Sequence, residues 1–390
     1  MTSVTGTARA LNAFRRALVV TAAVVVACQA GPHSTALPTV TSGLVRLPSV
    51  GKVLFSDGTD LWSSAPNGGE RVRVTRDGGQ GFYAGGKWSA DGSRVAAERG
   101  LPNEDGPQLF LVDPATGASS RISPISTWLD GFAWSPDGTK IVYASLTSGG
   151  TLASGGTLAP EAGTVYVYDA ASGSQKPVGR GVHPSWSPDG TRIAYVHAVG
   201  AIAISAPDGS DLKFLATLGD LNARFASFTS NGWRFLSAPA WSRDSKLIAF
   251  SAIEAGPILD AIQVVFIGPP APGAPLRPYS LGRTGAQHHI VNLQWSPAAD
   301  ILAYASIYAG PHHHIIGTID PQQSETRPLF DSSHHFLDYA WSPDGSVLLV
   351  AIDEEHAYAI VGTERSDNEP RRLTPGGSRP DWCCKPPSAN

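Results

Sequence analysis

The sequence predicts an all-β fold, a seven-bladed β-propeller whose C-terminal strand completes the first blade. Three observations predict it. A Trp-Ser-Pro-Asp-Gly phrase recurs along the chain, and each copy runs into a short β-rich stretch. In addition, 42 Gly and 31 Pro punctuate the 390 residues, and long 3.6-residue periodicity is nearly absent.

The phrase stands complete at Trp134-Ser135-Pro136-Asp137-Gly138, at Trp186-Ser187-Pro188-Asp189-Gly190 and at Trp341-Ser342-Pro343-Asp344-Gly345. Looser copies begin at Trp88, Trp241 and Trp295. The six are spaced from 46 residues (88 to 134) to 55 residues (186 to 241) apart. Its chemistry is that of a tight turn: Pro presets φ, Asp bonds its own backbone, and Gly tolerates a positive φ. The runs that follow (Lys140 to Ser145, Arg192 to Val196, Lys246 to Ser251) supply a second strand, so each phrase is strand, turn, strand. A unit of this size cannot bury its own apolar face. It stacks on its neighbours, with the indole packed between units as core.

A third strand follows each phrase: Gln108 to Asp113, Thr164 to Asp169, Ala201 to Ile204, Ile262 to Ile267, His314 to Asp320 and Ala357 to Val361. A fourth, such as Pro370 to Thr374, closes the unit, which gives the four strands of a propeller blade. Near the N-terminus, Lys52 to Ser56, Asp60 to Ser63 and Arg71 to Thr75 read as second, third and fourth strands with no phrase before them. The missing first strand stands at the other end, where Arg379-Pro380-Asp381-Trp382 mimics His183-Pro184-Ser185-Trp186. The ring therefore closes without a covalent link and leaves no open edge. Trp88, Trp134, Trp186, Trp241, Trp295, Trp341 and Trp382 then mark seven blades.

The phrase and its following strand resemble the TolB-type, WD-like propeller repeat of bacteria over residues 51 to 382. That resemblance implies the fold. Propellers of this type serve as binding scaffolds, as substrate filters ahead of peptidase domains and occasionally as enzymes.

Residues 1–27 read as a secretory leader, with Arg15 and Arg16 in a charged start and Ala17 to Ala27 an apolar stretch too short to span a bilayer. Val25-Val26-Ala27-Cys28 resembles a bacterial lipobox, which implies cleavage before Cys28 and its lipidation; the plainer alternative is an ordinary leader that contains a Cys. Residues 28–50 are the lipidated Cys and a small, polar, flexible tether, and 51–390 the propeller. The expectation is an extracytoplasmic protein held to the bacterial cell membrane by its lipid without spanning it. A net charge of -4 gives no electrostatic case for nucleic acid.

The histidines supply the candidate site. In the resembling propellers, the loops entering the first strand and those joining the second to the third lie on one face. His288, His289, His334 and His335 map to the former, and His312, His313 and His314 to the latter, over two adjacent blades. His183, His197 and His356 map to the same class of loops on other blades. Such imidazoles could hold a divalent metal, with Asp338, Asp353, Glu354 or Glu355 as carboxylate ligands; the alternative is a polar rim with no common focus.

Oligogalacturonate lyases are propellers of this broad type with a His-ligated metal at the channel mouth. The resemblance implies a runner-up reading, a metal-dependent polysaccharide lyase using His289, His312, His314 and His335. No Gly-x-Ser-x-Gly elbow occurs, and the chain is expected to leave no room for a hydrolase domain. Cys383 and Cys384 follow the last Trp and could form a vicinal disulfide that stiffens the closing strand, or bond to another chain. Ser148 to Ala153 repeats as Ser154 to Ala159, read as a slipped duplication in a surface loop or as a flap. The function expected is a non-catalytic binding or scaffolding module for an envelope protein or glycan.

Overall fold

The computed structural model describes residues 51–383 apart from 105, 125–126, 148–151, 154–156, 159–162, 230, 255–262, 282–287, 309–313, 333–335, 355–356, 365–370 and 376. Strands dominate because each phrase is a working turn. The Ser hydroxyl accepts the backbone N–H five residues on: Arg94 from Ser89 at 3.0 Å, Lys140 from Ser135 at 2.9 Å, Val347 from Ser342 at 2.9 Å. The Asp carboxylate accepts from the backbone N–H two residues on, as Thr139 donates to Asp137 at 3.0 Å. Gly138, Gly190 and Gly345 take φ of 69°, 73° and 67°, and where the phrase lacks its Gly, Ser245 is driven to 61°. The same Ser hydroxyls donate to the Asp carboxylates, Ser135 to Asp137 at 2.5 Å and Ser242 to Asp244 at 2.8 Å, and with the backbone N–H of Thr139 and Lys246 they hold the Asp137 and Asp244 carboxyls below their ordinary range.

The strands form a β-propeller arrangement. Four sheets are self-contained four-stranded blades, with inner strands Phe82–Trp88, His288–Trp295, Phe336–Trp341 and Ser378–Cys383. The last closes onto the N-terminal strand Lys52–Ser56, pairing Trp382 with Val53 and Asp381 with Leu54. The expectation of seven separate four-stranded blades is corrected elsewhere. Strand Gln175–Trp186 runs unbroken from one unit into the next and fuses strands expected in two blades into one seven-stranded sheet. Its first half pairs with Gly163–Asp169 and its second with Ile193–His197. Glycines permit this: a Cβ at Gly179 would lie 2.2 Å from the Tyr195 hydroxyl, and one at Gly181 2.2 Å from the Val196 carbonyl. A five-stranded sheet has its inner edge in two pieces, Trp233–Leu236 and Ala240–Trp241, both paired with Ile248–Glu254.

The seven strands ending at or beside a phrase Trp neighbour one another in a closed circuit, from the strand of Trp88 through those of Trp134, Trp186, Trp241, Trp295, Trp341 and Trp382 back to the first. Apolar clusters straddle neighbouring units, as expected when no unit buries its own face. Ala303, Ala305 and Ile316 pack on Trp341, Leu348 and Val350, and Val142, Ala144 and Val165 on Trp186, Ile193 and Tyr195. The indoles of Trp134, Trp295 and Trp341 donate to the carbonyls of Lys87, Ala240 and Gln294 in the preceding unit, at 2.9, 3.1 and 3.2 Å. Among the described residues helix is confined to Leu218–Arg224, capped by Thr217 and Asp220, and short 3-10 turns. No helix among the described residues is long and apolar enough to cross a membrane. Of the duplicated segment, Leu152 and Ala153 pair with Leu158 and Thr157 as a small hairpin, and its other residues lie outside the described ones.

Candidate functional site at the inner strands

The inner strands carry a feature that their Trp residues index. The residue three positions before each Trp is Gly85, Gly131, His183, Ala238, Asn292, Asp338 or Arg379. In six of the seven strands a β-bulge lies at or directly beside this position. His183, Asn292 and Arg379 adopt left-handed φ of 54°, 54° and 49°, and Gly131 of 81°. Bulges re-aim side chains, and left-handed backbone at three non-glycine residues is held only where the surroundings enforce it.

The side chains so presented meet one another. Asn292 Nδ2 donates to Asp338 Oδ1 at 2.6 Å, and the Tyr339 N–H donates to the same oxygen at 2.8 Å. Arg379 pairs with Glu98 of the adjacent unit. His183 Nδ1 lies 3.2 Å from Asp130 Oδ2. One step along, immediately before the last Trp, Asp381 Oδ2 accepts the Trp88 N–H at 2.8 Å, 293 residues away in the chain. Burial pushes the Asp338 carboxyl up, countered by Arg379 and the two donors. Burial also pushes Asp381 up to about 6, with the Asp338 charge adding and the Trp88 N–H and Lys87 opposing. Water still reaches these carboxylates, but protein walls crowd them and weaken their solvation.

The direction for Asp381 sets a pH dependence. Between the unfolded value of about 3.9 and about 6, the folded chain keeps a proton that the unfolded chain has lost. Stability therefore falls as pH rises through that window and stays lower above it. Asp381→Asn keeps an acceptor for Trp88 and removes the charge. We expect it to melt higher than the parent at pH 7.5, by about 1–2 kcal/mol, and level with it near pH 4. Parallel melting curves at both pH values would refute the assignment.

Of the residues singled out from the sequence, His312, His313, His334, His335, His356, Glu355, Cys28 and Cys384 lie outside the described residues. His288 and His289 open strand His288–Trp295, paired with Tyr308 and Ile307, and His314 opens strand His314–Asp320, whose Ile315 pairs with Ser306. These three backbone positions share one end of one sheet. His183 is not in a loop as expected but in mid-strand on the ring, because its strand crosses between units without a break. His197 ends its strand against Phe214, ring centroids 5.0 Å apart, and burial with the Arg180 charge pushes its imidazole down. Among the described residues no group of three or more His, Cys, Asp or Glu side chains is placed to hold a metal, and the side chains of His288, His289 and His314 are not among those described. Cys383 is disulfide-bonded. Asn292, Arg379, Asp381, Glu98 and Asp130 were not picked out from sequence as site residues. Aligning the phrases on Trp and reading three residues back finds the first two.

No family model matches the sequence, and no curated protein matches it. Solved structures do. An oligogalacturonate lyase in complex with manganese is 14% identical, with a TM-score of 0.58 over 79% of this chain and 84% of that one. The oligogalacturonate lyase of Vibrio parahaemolyticus is 15% identical, with a TM-score of 0.58 over 80% and 86%. TolB from Acinetobacter baumannii is 13% identical, with a TM-score of 0.49 over 84% and 79%. The two lyase likenesses, at such identity, show a shared β-propeller fold and nothing more.

Proposed function

We propose that this chain is an extracytoplasmic, lipid-anchored binding or scaffolding module, a seven-bladed propeller that engages a protein or glycan of the cell envelope without catalysis. The blade count rests on the circuit of seven inner strands. The seven-stranded sheet is read as two blades fused through Gln175–Trp186, and the five-stranded sheet as one blade with a broken inner strand. Anchoring through Cys28 rests on the sequence of the leader. One observation carries the binding reading: the ring's polar groups are engaged with each other, Arg379 on Glu98 and Asn292 on Asp338. Groups tied in this way hold a shape for recognition more readily than they serve as a free acid, base or nucleophile.

Calorimetric titration of the mature domain with purified envelope glycans and proteins is expected to give saturable binding and no product. Shortening of a polysaccharide with release of unsaturated ends would overturn the non-catalytic reading. That outcome is what a second reading, a metal-dependent lyase, requires. It is favoured by one observation, the shared end of one sheet occupied by His288, His289 and His314. Under it the domain, purified without an affinity tag of histidines, carries about one equivalent of a divalent first-row metal, lost when His312, His313 and His314 become Ala. A folded, metal-free domain leaves the binding module standing.

A further inference from the structure

The outer strands of two neighbouring units leave a cleft between them. One wall is Arg277–Ser280, the last strand of the five-stranded sheet, and the other runs from Ser324 into strand Glu325–Ser332. Deeper in, the two units pack tightly, with Val265, Ile267 and Tyr279 of one against Trp295, Leu302 and Ile319 of the other. Radially arranged blades splay toward their outer edge, and large side chains are needed to fill the wedge. Between the closing unit and the one that follows it they are present: Arg99 lies between the rings of Tyr83 and Phe110, 5.0 and 5.1 Å from their centres, and pairs with Asp77. Here the wedge carries the small side chains of Ser280, Ser324 and Thr326. A cavity of about 350 Å³ remains, lined by these three with Arg277, Pro278 and Tyr279.

The lining sorts by charge, and strand alternation is the cause. Thr326 stands beside Ile319 in the register and so shares the face turned to the neighbouring unit. Glu325 and Arg327 fall on the opposite face, beside Asp320 and Thr318, and with them line a separate cavity of about 250 Å³. The cleft therefore holds a guanidinium and hydroxyls with no carboxylate. Arg277 is held in place: its Nη1 donates to the Pro321 carbonyl at 3.1 Å, and the Tyr279 hydroxyl donates to the same oxygen at 3.4 Å. That contact uses one of the five N–H donors of a guanidinium. The Asp320 carboxylate does not compete for the others, because it accepts the backbone N–H groups of Gln322 and Gln323 at 2.9 and 3.2 Å.

We infer that this cleft binds an acidic sugar unit of an envelope glycan, with its carboxylate or phosphate on Arg277 and its hydroxyls on Ser280, Ser324 and Thr326. A guanidinium fork matches either oxyanion with two parallel N–H bonds. Ser and Thr hydroxyls both donate and accept, as sugar hydroxyls do, so each can pair with the other in either sense. A cationic ligand would meet Arg277 and find no counter-charge in the lining. The inference rests on the reading of the propeller as a binding module and adds the class of glycan and the place where it binds.

Calorimetric titration of the full chain with glucuronate, with glucose 6-phosphate and with glucose tests it, at an ionic strength held constant by KCl. Saturable binding is expected for at least one of the two anions, and the arm that binds identifies the oxyanion. Glucose should bind about tenfold more weakly. Arg277→Gln should weaken the anion about tenfold and Thr326→Val about threefold. Arg327→Gln removes the same charge from the opposite face of the same strand and should leave binding unchanged. All three side chains are exposed, so the fold is expected to survive each change, which thermal melts check. Absence of binding for both anions, glucose binding as tightly as either, or an equal loss in Arg277→Gln and Arg327→Gln overturns the inference. If envelope partners still bind under those circumstances, the module reading survives and the cleft assignment does not.

Discussion

Trp382→Ala is expected to melt lower than any other single Trp→Ala change among the seven, and in particular lower than Trp186→Ala. Both indoles are nearly buried, at 8% exposure, so each truncation leaves a large cavity and costs about 3–5 kcal/mol. They differ in what the cavity loosens. Trp186 sits in a strand covalently continuous on both sides, Gln175–Trp186. Trp382 packs between Val53 and Phe55 of the N-terminal strand and Val347 and Leu349 of the preceding unit. It pairs with Val53, and that pairing is what joins the two ends of the chain. Its loss weakens the one joint of the ring that has no peptide link, and a detached closing strand exposes sheet edges to water. Thermal melts of the two variants decide it: a Trp382→Ala midpoint equal to or above that of Trp186→Ala refutes closure as the weak point.

The second large effect falls on Arg379→Ala, at about 2–4 kcal/mol. Glu98 is 15% exposed and has Arg379 as its ion-pair partner, so removing the guanidinium strands a carboxylate in a crowded site. Asp338 loses the positive charge that most favours its ionised form at the same time. Breaking such a pair costs far more than the pair itself contributes, because the surviving charge stays desolvated. The double variant Arg379→Ala/Glu98→Gln is therefore expected to recover most of the loss. Equal stability of the single and double variants would show that Arg379 acts by packing over Gly85 and not by pairing.

The repeating unit was legible in the sequence because it is built from local chemistry. Trp, Ser, Asp and Gly at fixed offsets form a turn whose hydrogen bonds all fall within about five residues, so backbone preference and period suffice to read it. Closure was legible for the same reason: a phrase missing at one terminus and present at the other needs only counting. What local pattern could not show is where one sheet ends. Gln175–Trp186 was expected as two strands of separate blades, yet glycines pressed against Tyr195 and Val196 let it continue as one.

The histidines drew attention because imidazole is chemically conspicuous, but the ring is made largely of residues that look ordinary in sequence. Asn292, Asp338, Arg379 and Asp381 precede a phrase Trp by one or three residues and carry no motif of their own. By itself the sequence determined the strand, turn and strand unit, its seven Trp markers and the meeting of the two ends, since each depends on neighbours along the chain. Only the tertiary structure decided that Arg379 would face Glu98, 281 residues away, and that Asp381 would cap the Trp88 N–H across 293. Those contacts, and the acidity they shift, arise when inner strands from distant parts of the chain close into one circuit, a condition that no local stretch specifies.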